Sequence, residues 1–376
     1  MGTFANSFKS LFEINMGVRK GERIVVFADL IRADEQPSPE EAERRQRLLR
    51  VAEAAADYAR EAYGSVSFVS FPATASSGSE PPEVLWRAAM SDAIVDNLST
   101  EGLLSKLLLK EASAADLDRA GKLLLNARRA VADVIIALAN NSTSHTRFRA
   151  LVNAAGGRFA SLPHFDPDMF FTSMQVDWLA LAERTRRLGI EVNQADEIVI
   201  ETPNGTHMRF DKRGRKAEGD DGLLTAPGSF GNLPAGEVYL APREGKSSGV
   251  MVIEYAPTRK LAAPLKLTVE NGNVTQISGD DPYRQHLELK FSESPKNRNI
   301  AELGIGTNDR ATRPDNILEA EKILGTIHIA LGDNSGFGGK VQTPFHEDYI
   351  FYQPTVDAIM PDGSKKTLLV SGKPVF

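Results

Sequence analysis

The sequence predicts an α/β N-terminal domain built on a parallel sheet, followed by an α+β C-terminal domain rich in antiparallel β. Three observations predict it. The first half alternates short apolar runs with helical segments, the pattern of crossover-connected parallel strands. The second half carries two Asn-Gly hairpin signals, at Asn204-Gly205 and Asn271-Gly272. A chain of 376 residues also exceeds one ordinary hydrophobic core. Two domains are expected, 1–190 and 191–376.

In the first half, residues 4–16 have helical spacing. Gly21 then introduces Arg23-Ile24-Val25-Val26-Phe27-Ala28, whose β-branched content suits a buried strand. Residues 40–63, rich in Ala, Glu and Arg, form a helix that Gly64 stops. Ser65–Phe71 alternates with period two, as a strand does, and Thr74–Ser79 is an exposed loop. Helices are expected at 80–95, 115–131 and 145–155, with a strand at Val134–Leu138. After a helix at 173–189, hairpins pair 198–202 with 206–210 and 265–269 with 274–277. One more helix is expected at 314–325.

Composition narrows the chemistry. A formal net charge of -6 argues against a nucleic-acid partner, which calls for a basic face. There is no cysteine, so disulfides, thiolate metal sites and cysteine nucleophiles are excluded. Any metal must be held by His, Asp, Glu or water. No secretory leader or membrane span is apparent, and the expected compartment is the cytoplasm.

Four segments set ligand-type side chains among apolar neighbours. Glu237 follows the turn Asn232-Leu233-Pro234-Ala235-Gly236 and opens an apolar strand. Glu302 lies in Ala301-Glu302-Leu303-Gly304-Ile305-Gly306, and His328 in Thr326-Ile327-His328-Ile329-Ala330-Leu331. His346-Glu347-Asp348 gives His-x-Asp, and strand alternation puts His346 and Asp348 on one face with Glu347 on the other. Burying such charges costs several kcal/mol unless compensated, and a divalent cation is a natural compensator.

In this order the segments resemble the metal-dependent aminopeptidases of the aminopeptidase T / aminopeptidase S type. The resemblance implies a two-metal hydrolase whose ligands are Glu237, Glu302, His328, His346 and Asp348. Two zinc, cobalt or manganese ions would share an activated water, with Glu237 or Glu302 as bridge or proton shuttle. The chain departs from that family at Ile323, where it has a glutamate, and at Ser335, where it has a tyrosine; Glu321 and Tyr349 are nearby residues of those types. A second branch of the same superfamily, the dihydroxypyridine ring-cleaving dioxygenases, holds one Fe(II) with two histidines and an aspartate. His328, His346 and Asp348 match that set, so single-iron ring cleavage is the alternative. A non-catalytic ligand-binding descendant of the fold is the third. The expected partners are a small-molecule or peptide substrate and a second copy of the chain, with no nucleic acid and no membrane.

Overall fold

The computed structural model describes residues 4–376 except 258 and 315. It divides into two units, one comprising the chain up to Gln175 with Gly222–Pro234, the other Val176–Asp221 with Ala235–Phe376. The expected division at 190/191 falls instead at the end of a helix that belongs to the second unit. That helix, Trp178–Gln194, buries Leu188 and Val192 in the second unit's core, which assigns it there.

The first unit is built on a five-stranded sheet, in the order 66–72, 24–30, 134–137, 158–161 and 230–232. All four pairings are parallel. The central Ile24–Leu30 strand is buried along almost its whole length, which explains why its sequence is continuously apolar rather than alternating. Helix Pro39–Tyr63 starts at Ser38, whose side chain accepts from the Glu41 amide, and ends at Gly64, where φ is 102°. Its buried stripe of Leu48, Val51, Ala52, Ala55, Ala56 and Ala59 follows helical spacing. Phe27, Trp86, Phe148 and Phe159 lie in the core of this unit.

Several elements differ from the sequence expectation. The helix at 4–16 is a short α-helix, Ala5–Lys9, that widens into a π-helix over Ser10–Asn15. The helix at 80–95 is two helices, Glu83–Met90 and Asp92–Thr100, broken at Ser91 with φ 67°. Strands Arg158–Ser161 and Phe230–Asn232 are too short to show a period.

The second unit stacks its core between two sheets. One has eight strands, in the order 273–278, 259–270, 248–256, 207–211, 197–201, 355–359, 365–370 and 373–374. It contains both expected hairpins. Asn271 and Gly272 both have positive φ, 49° and 72°, the combination a tight two-residue hairpin requires. The other sheet has five strands, in the order 346–351, 327–332, 300–306, 237–240 and 218–220. All of its pairings are antiparallel. Helix Tyr283–Glu293 was not expected, and the expected helix at 314–325 shrinks to Ile317–Ala320 within the described residues. The α/β unit with a parallel sheet and the antiparallel-rich second unit match the predicted fold class. No helix among the described residues is long and apolar enough to cross a membrane.

Candidate metal centre

The five-stranded sheet of the second unit is two-faced. In an antiparallel sheet, directly paired residues share a face and neighbours along a strand alternate. Leu240, Leu303, Ile305, Ile327, Ile329, Leu331, Tyr349 and Phe351 point into the apolar core. The opposite face is read off the register: Gly306 pairs with Glu237, Gly304 with both Tyr239 and His328, Ala330 with both Glu302 and Asp348, and Gly332 with His346. All five sequence-predicted ligands therefore share one face of one sheet, although they come from four strands.

Small residues make room for them. A Cβ on Gly304 would lie 1.9 Å from Cε1 of His328, so the imidazole occupies space that any side chain at 304 would fill. On Gly306 it would meet the Ile323 carbonyl oxygen at 2.1 Å. The pairing of Ile300–Gly306 with Ile327–Gly332 also slips between Ile300 and Glu302, a bulge beside the acidic ligand.

The five residues form a row rather than a single ring. His328 Nε2 lies 3.5 Å from Glu237 Oε2 and 3.4 Å from Glu302 Oε1. His346 Nε2 lies 3.5 Å from both Glu302 Oε2 and Asp348 Oδ2. Among the described residues, only Glu302, His346 and Asp348 present ligand atoms that all lie within 4.8 Å of one another. That separation is close to the span of two metal–ligand bonds of roughly 2.0–2.2 Å each. Glu237 and His328 sit farther along the row, so the shell of five expected from the sequence is a compact three with two outlying members.

Orientation favours metal binding at the compact end. His346 Nδ1 is 2.7 Å from the Asp333 carbonyl oxygen. Nδ1 therefore carries a proton and donates, which turns Nε2, the atom a metal would bind, toward the two carboxylates. About a third of the His346 side chain, 33%, remains open to solvent, whereas Glu302 and His328 are buried. Glu347 faces the other way and meets His286 Nε2 at 3.1 Å.

Lys322, which the sequence did not single out, and Glu321, which it offered only by residue type, complete the centre. Lys322, 1% exposed, donates from Nζ to Glu237 Oε1 at 2.6 Å and to Glu321 Oε2 at 2.9 Å. The turn after helix Ile317–Ala320 delivers this Glu-Lys pair just before the His328 strand. An adjacent Glu-Lys pair at a turn reads in sequence as surface, which concealed it. Glu321 thus brings a carboxylate to the centre, while Tyr349 lies on the core face, its hydroxyl 3.1 Å from that of Tyr283. Ser335 donates from its amide and hydroxyl to Asp333 Oδ1 in the neighbouring loop and supplies no phenol.

The electrostatics explain why a cation belongs here. Burial opposes ionisation of Glu302 and, reinforced by Asp348, raises its pKa. Burial likewise pushes Glu321 up to about 7 against the pull of Lys322. Burial opposes charging His328, but its Glu302 hydrogen bond and the Glu237 charge outweigh that and lift it to about 9. His346 is also raised, Asp348 outweighing burial, and Asp348 in turn is held down to about 2, chiefly by His346 in opposition to burial. Four carboxylates face one fixed ammonium, and that excess of negative charge is what raises both histidines. A divalent ion at Nε2 of His346 would take the place of a proton there and supply positive charge. Two buried atoms, Glu237 Oε2 and His328 Nδ1, have no hydrogen-bond partner.

Beside the centre, Phe337 from the glycine-rich loop 332–340 packs edge-on to His346 at 6.0 Å and to Tyr239 at 5.9 Å between ring centroids. It lines the open side of the cluster with aromatic surface.

Comparison with known proteins gives a family and several similar solved structures. A family model described as NicX: 2,5-dihydroxypyridine 5,6-dioxygenase matches residues 109–363. The 2,5-dihydroxypyridine dioxygenase from Pseudomonas putida KT2440 has a TM-score of 0.69 at 18% identity, over 99% of this chain and 97% of that one. Wild-type AmpT from Thermus thermophilus has a TM-score of 0.62 at 14% identity, over 99% of each chain. At such identities both establish a shared fold. No curated protein sequence matches.

Proposed function

The chain belongs to the 2,5-dihydroxypyridine 5,6-dioxygenase (NicX) family, and on that premise we propose that it is a single-metal dioxygenase that cleaves a dihydroxylated N-heteroaromatic ring. The observation that carries this is the compact set of Glu302, His346 and Asp348, with His346 Nε2 turned toward the two carboxylates and its side chain partly open to solvent. This set has one histidine and two carboxylates, Glu302 taking the place that His328 holds in the expected Fe(II) set of His328, His346 and Asp348. Imidazole and carboxylate ligands with open positions suit iron. Bound Fe(II) would supply the one-electron chemistry that lets dioxygen react with a closed-shell aromatic ring.

The chain's own residues have simpler tasks. Glu302, His346 and Asp348 hold the ion. The Asp333 carbonyl fixes the His346 tautomer, and His328, wedged over Gly304, braces Glu302 from the buried side. The Phe337 and Tyr239 rings offer a planar substrate an apolar wall, where aromatic contacts favour ring over peptide. Both oxygen atoms of one O2 enter the opened ring, and the electron-rich ring itself is the reductant.

The two-metal aminopeptidase implied by the sequence resemblance is the second reading. The retention of Glu237 with Glu302 and the likeness to AmpT favour it. The family match and the higher TM-score favour ring cleavage.

Protein loaded anaerobically with Fe(II) and mixed with 2,5-dihydroxypyridine and its isomers decides between them. Oxygen uptake matched mole for mole by loss of the ring's ultraviolet band is expected. No uptake with any of them, together with hydrolysis of aminoacyl anilides by zinc- or manganese-loaded protein, would establish the aminopeptidase instead.

A further inference from the structure

We infer that Lys322 is a built-in cation that takes the place of a second metal ion, so that its ammonium, cradled by Glu237 and Glu321, limits the centre to one divalent ion. This rests on the single-metal proposal above and adds a residue that enforces it.

The geometry is that of a filled cation site. Nζ lies 2.6 Å from Glu237 Oε1 and 2.9 Å from Glu321 Oε2, and the side chain is 1% exposed. These are hydrogen-bonded contacts between opposite charges away from water, where pairing is strongest. Glu237 extends its other oxygen to within 3.5 Å of His328 Nε2 without a hydrogen bond. Glu237 and Glu321 thus meet at the ammonium, and Glu237 reaches on to His328 beside Glu302, His346 and Asp348. Carboxylates from Glu237 and Glu302 flanking His328 are what two ions sharing ligands would use, and paired ions sit only ~3.5–4 Å apart. An ammonium at that end supplies one positive charge with fixed geometry, and a divalent ion cannot enter without expelling it. Lys322 also cannot swing out readily. It sits in a turn whose backbone is pinned, its carbonyl accepting from the Asn308 amide at 2.8 Å and its amide donating to Glu319 at 3.0 Å.

Metal stoichiometry tests this without substrate or turnover. Metal-free protein is titrated with Mn(II) and followed by calorimetry, elemental analysis and electron paramagnetic resonance. Wild type is expected to take about one equivalent with the spectrum of an isolated ion. Lys322→Met, which removes the ammonium and keeps the length, is expected to take about two with a spin-coupled spectrum. Lys322→Arg keeps the charge and should stay at one. A second arm does not require the Met variant to fold. Because Glu237 holds an ammonium rather than a metal, Glu237→Gln should retain one Mn(II) with affinity within a few-fold of wild type. Two equivalents in wild type, one in a folded Lys322→Met, or loss of Mn(II) from Glu237→Gln would each overturn the inference. If wild type takes one Mn(II) yet shows no oxygen uptake after iron loading, ring cleavage fails while the role of Lys322 stands.

Discussion

At the residue scale, the contrast between His346 and its neighbour Glu347 is the sharpest. One faces the carboxylates with its Nδ1 proton committed to Asp333, and the other is turned to His286 on the opposite face. His346→Ala should therefore lose metal, by more than the roughly 10–100-fold that removal of a supporting partner costs. Glu347→Gln should keep it, and metal analysis of the two variants side by side checks this. Equal losses would mean that the strand presents its other face. Away from the centre, Asp281 accepts from the Arg259 guanidinium at 2.9 Å and from the Ala262 and Tyr283 amides at 2.7 and 2.8 Å. The Arg259 hydrogen bond, against some desolvation, holds its carboxyl below the ordinary value. A carboxyl depressed in the folded state stabilises above the unfolded pKa of about 3.9, and that stability is lost as pH falls through the lower folded value. Asp281→Asn should melt below wild type at pH 7, with the two melting temperatures converging as the pH falls below about 4. A gap that stays constant from neutral to acid pH would rule this out.

At the element scale, the sheet that carries the centre depends on what its strands omit. Gly304 faces His328 across the ladder, and a methyl group there would collide with the ring at 1.9 Å. Because the intruding atom belongs to a backbone position in a central strand, the ring must move. Gly304→Ala should cost about 1–3 kcal/mol, as overpacking does, and weaken metal binding as Glu302 loses its brace. Thermal melts and Mn(II) titration read the two effects separately; unchanged values in both would mean that the ring has another place to go. The same elements show what was legible in advance. Glu237, Glu302, His328, His346 and Asp348 stood out because strand periodicity exposes a polar residue in an apolar run. Lys322 did not, and Glu321 was named by residue type without a place, since both lie in a turn, where charge is ordinary and no period reports burial. The hairpin at Asn271-Gly272 was legible from local turn chemistry. The helix expected at 314–325 was legible in place but not in length, since buried Glu319 and Lys322 interrupt what reads as a solvated helical face. Strand Phe230–Asn232 joins the parallel sheet from a distant part of the chain, a pairing that no local pattern encodes.

At the scale of the whole molecule, each unit has an apolar core of its own, and the proposed ligands all lie in the second. Metal should accordingly stabilise that unit directly. An ion present at 100 times its Kd contributes about 2.7 kcal/mol to the state that binds it. Scanning calorimetry should show a transition that climbs with Mn(II) concentration and falls with chelator. Hydrogen exchange should assign the added protection to strands 237–240, 300–306, 327–332 and 346–351. Protection confined to the parallel sheet would contradict the assignment. The expected fold class was recoverable at this scale because alternating and hairpin-rich halves differ in composition. The exact partition was not, because helix Trp178–Gln194 has an apolar stripe that either core could have buried.

The shared face of the five-stranded sheet also sets what changes in length the chain can absorb. Each ligand-bearing strand is locked to its neighbours in a register of period two, so one inserted or deleted residue exchanges its two faces. In His346–Phe351 such a slip would turn Glu347 and Tyr349 toward the centre and drive His346 and Asp348 into the apolar core. The segments between strands carry less constraint, and the loop beyond Asp333 can grow or shrink as long as Asp333 keeps its contact with His346. Related chains should therefore differ in the number of residues between these strands while keeping the phase within each one. Recognition of distant relatives then depends on strand phase rather than on fixed spacings between the acidic and histidine positions.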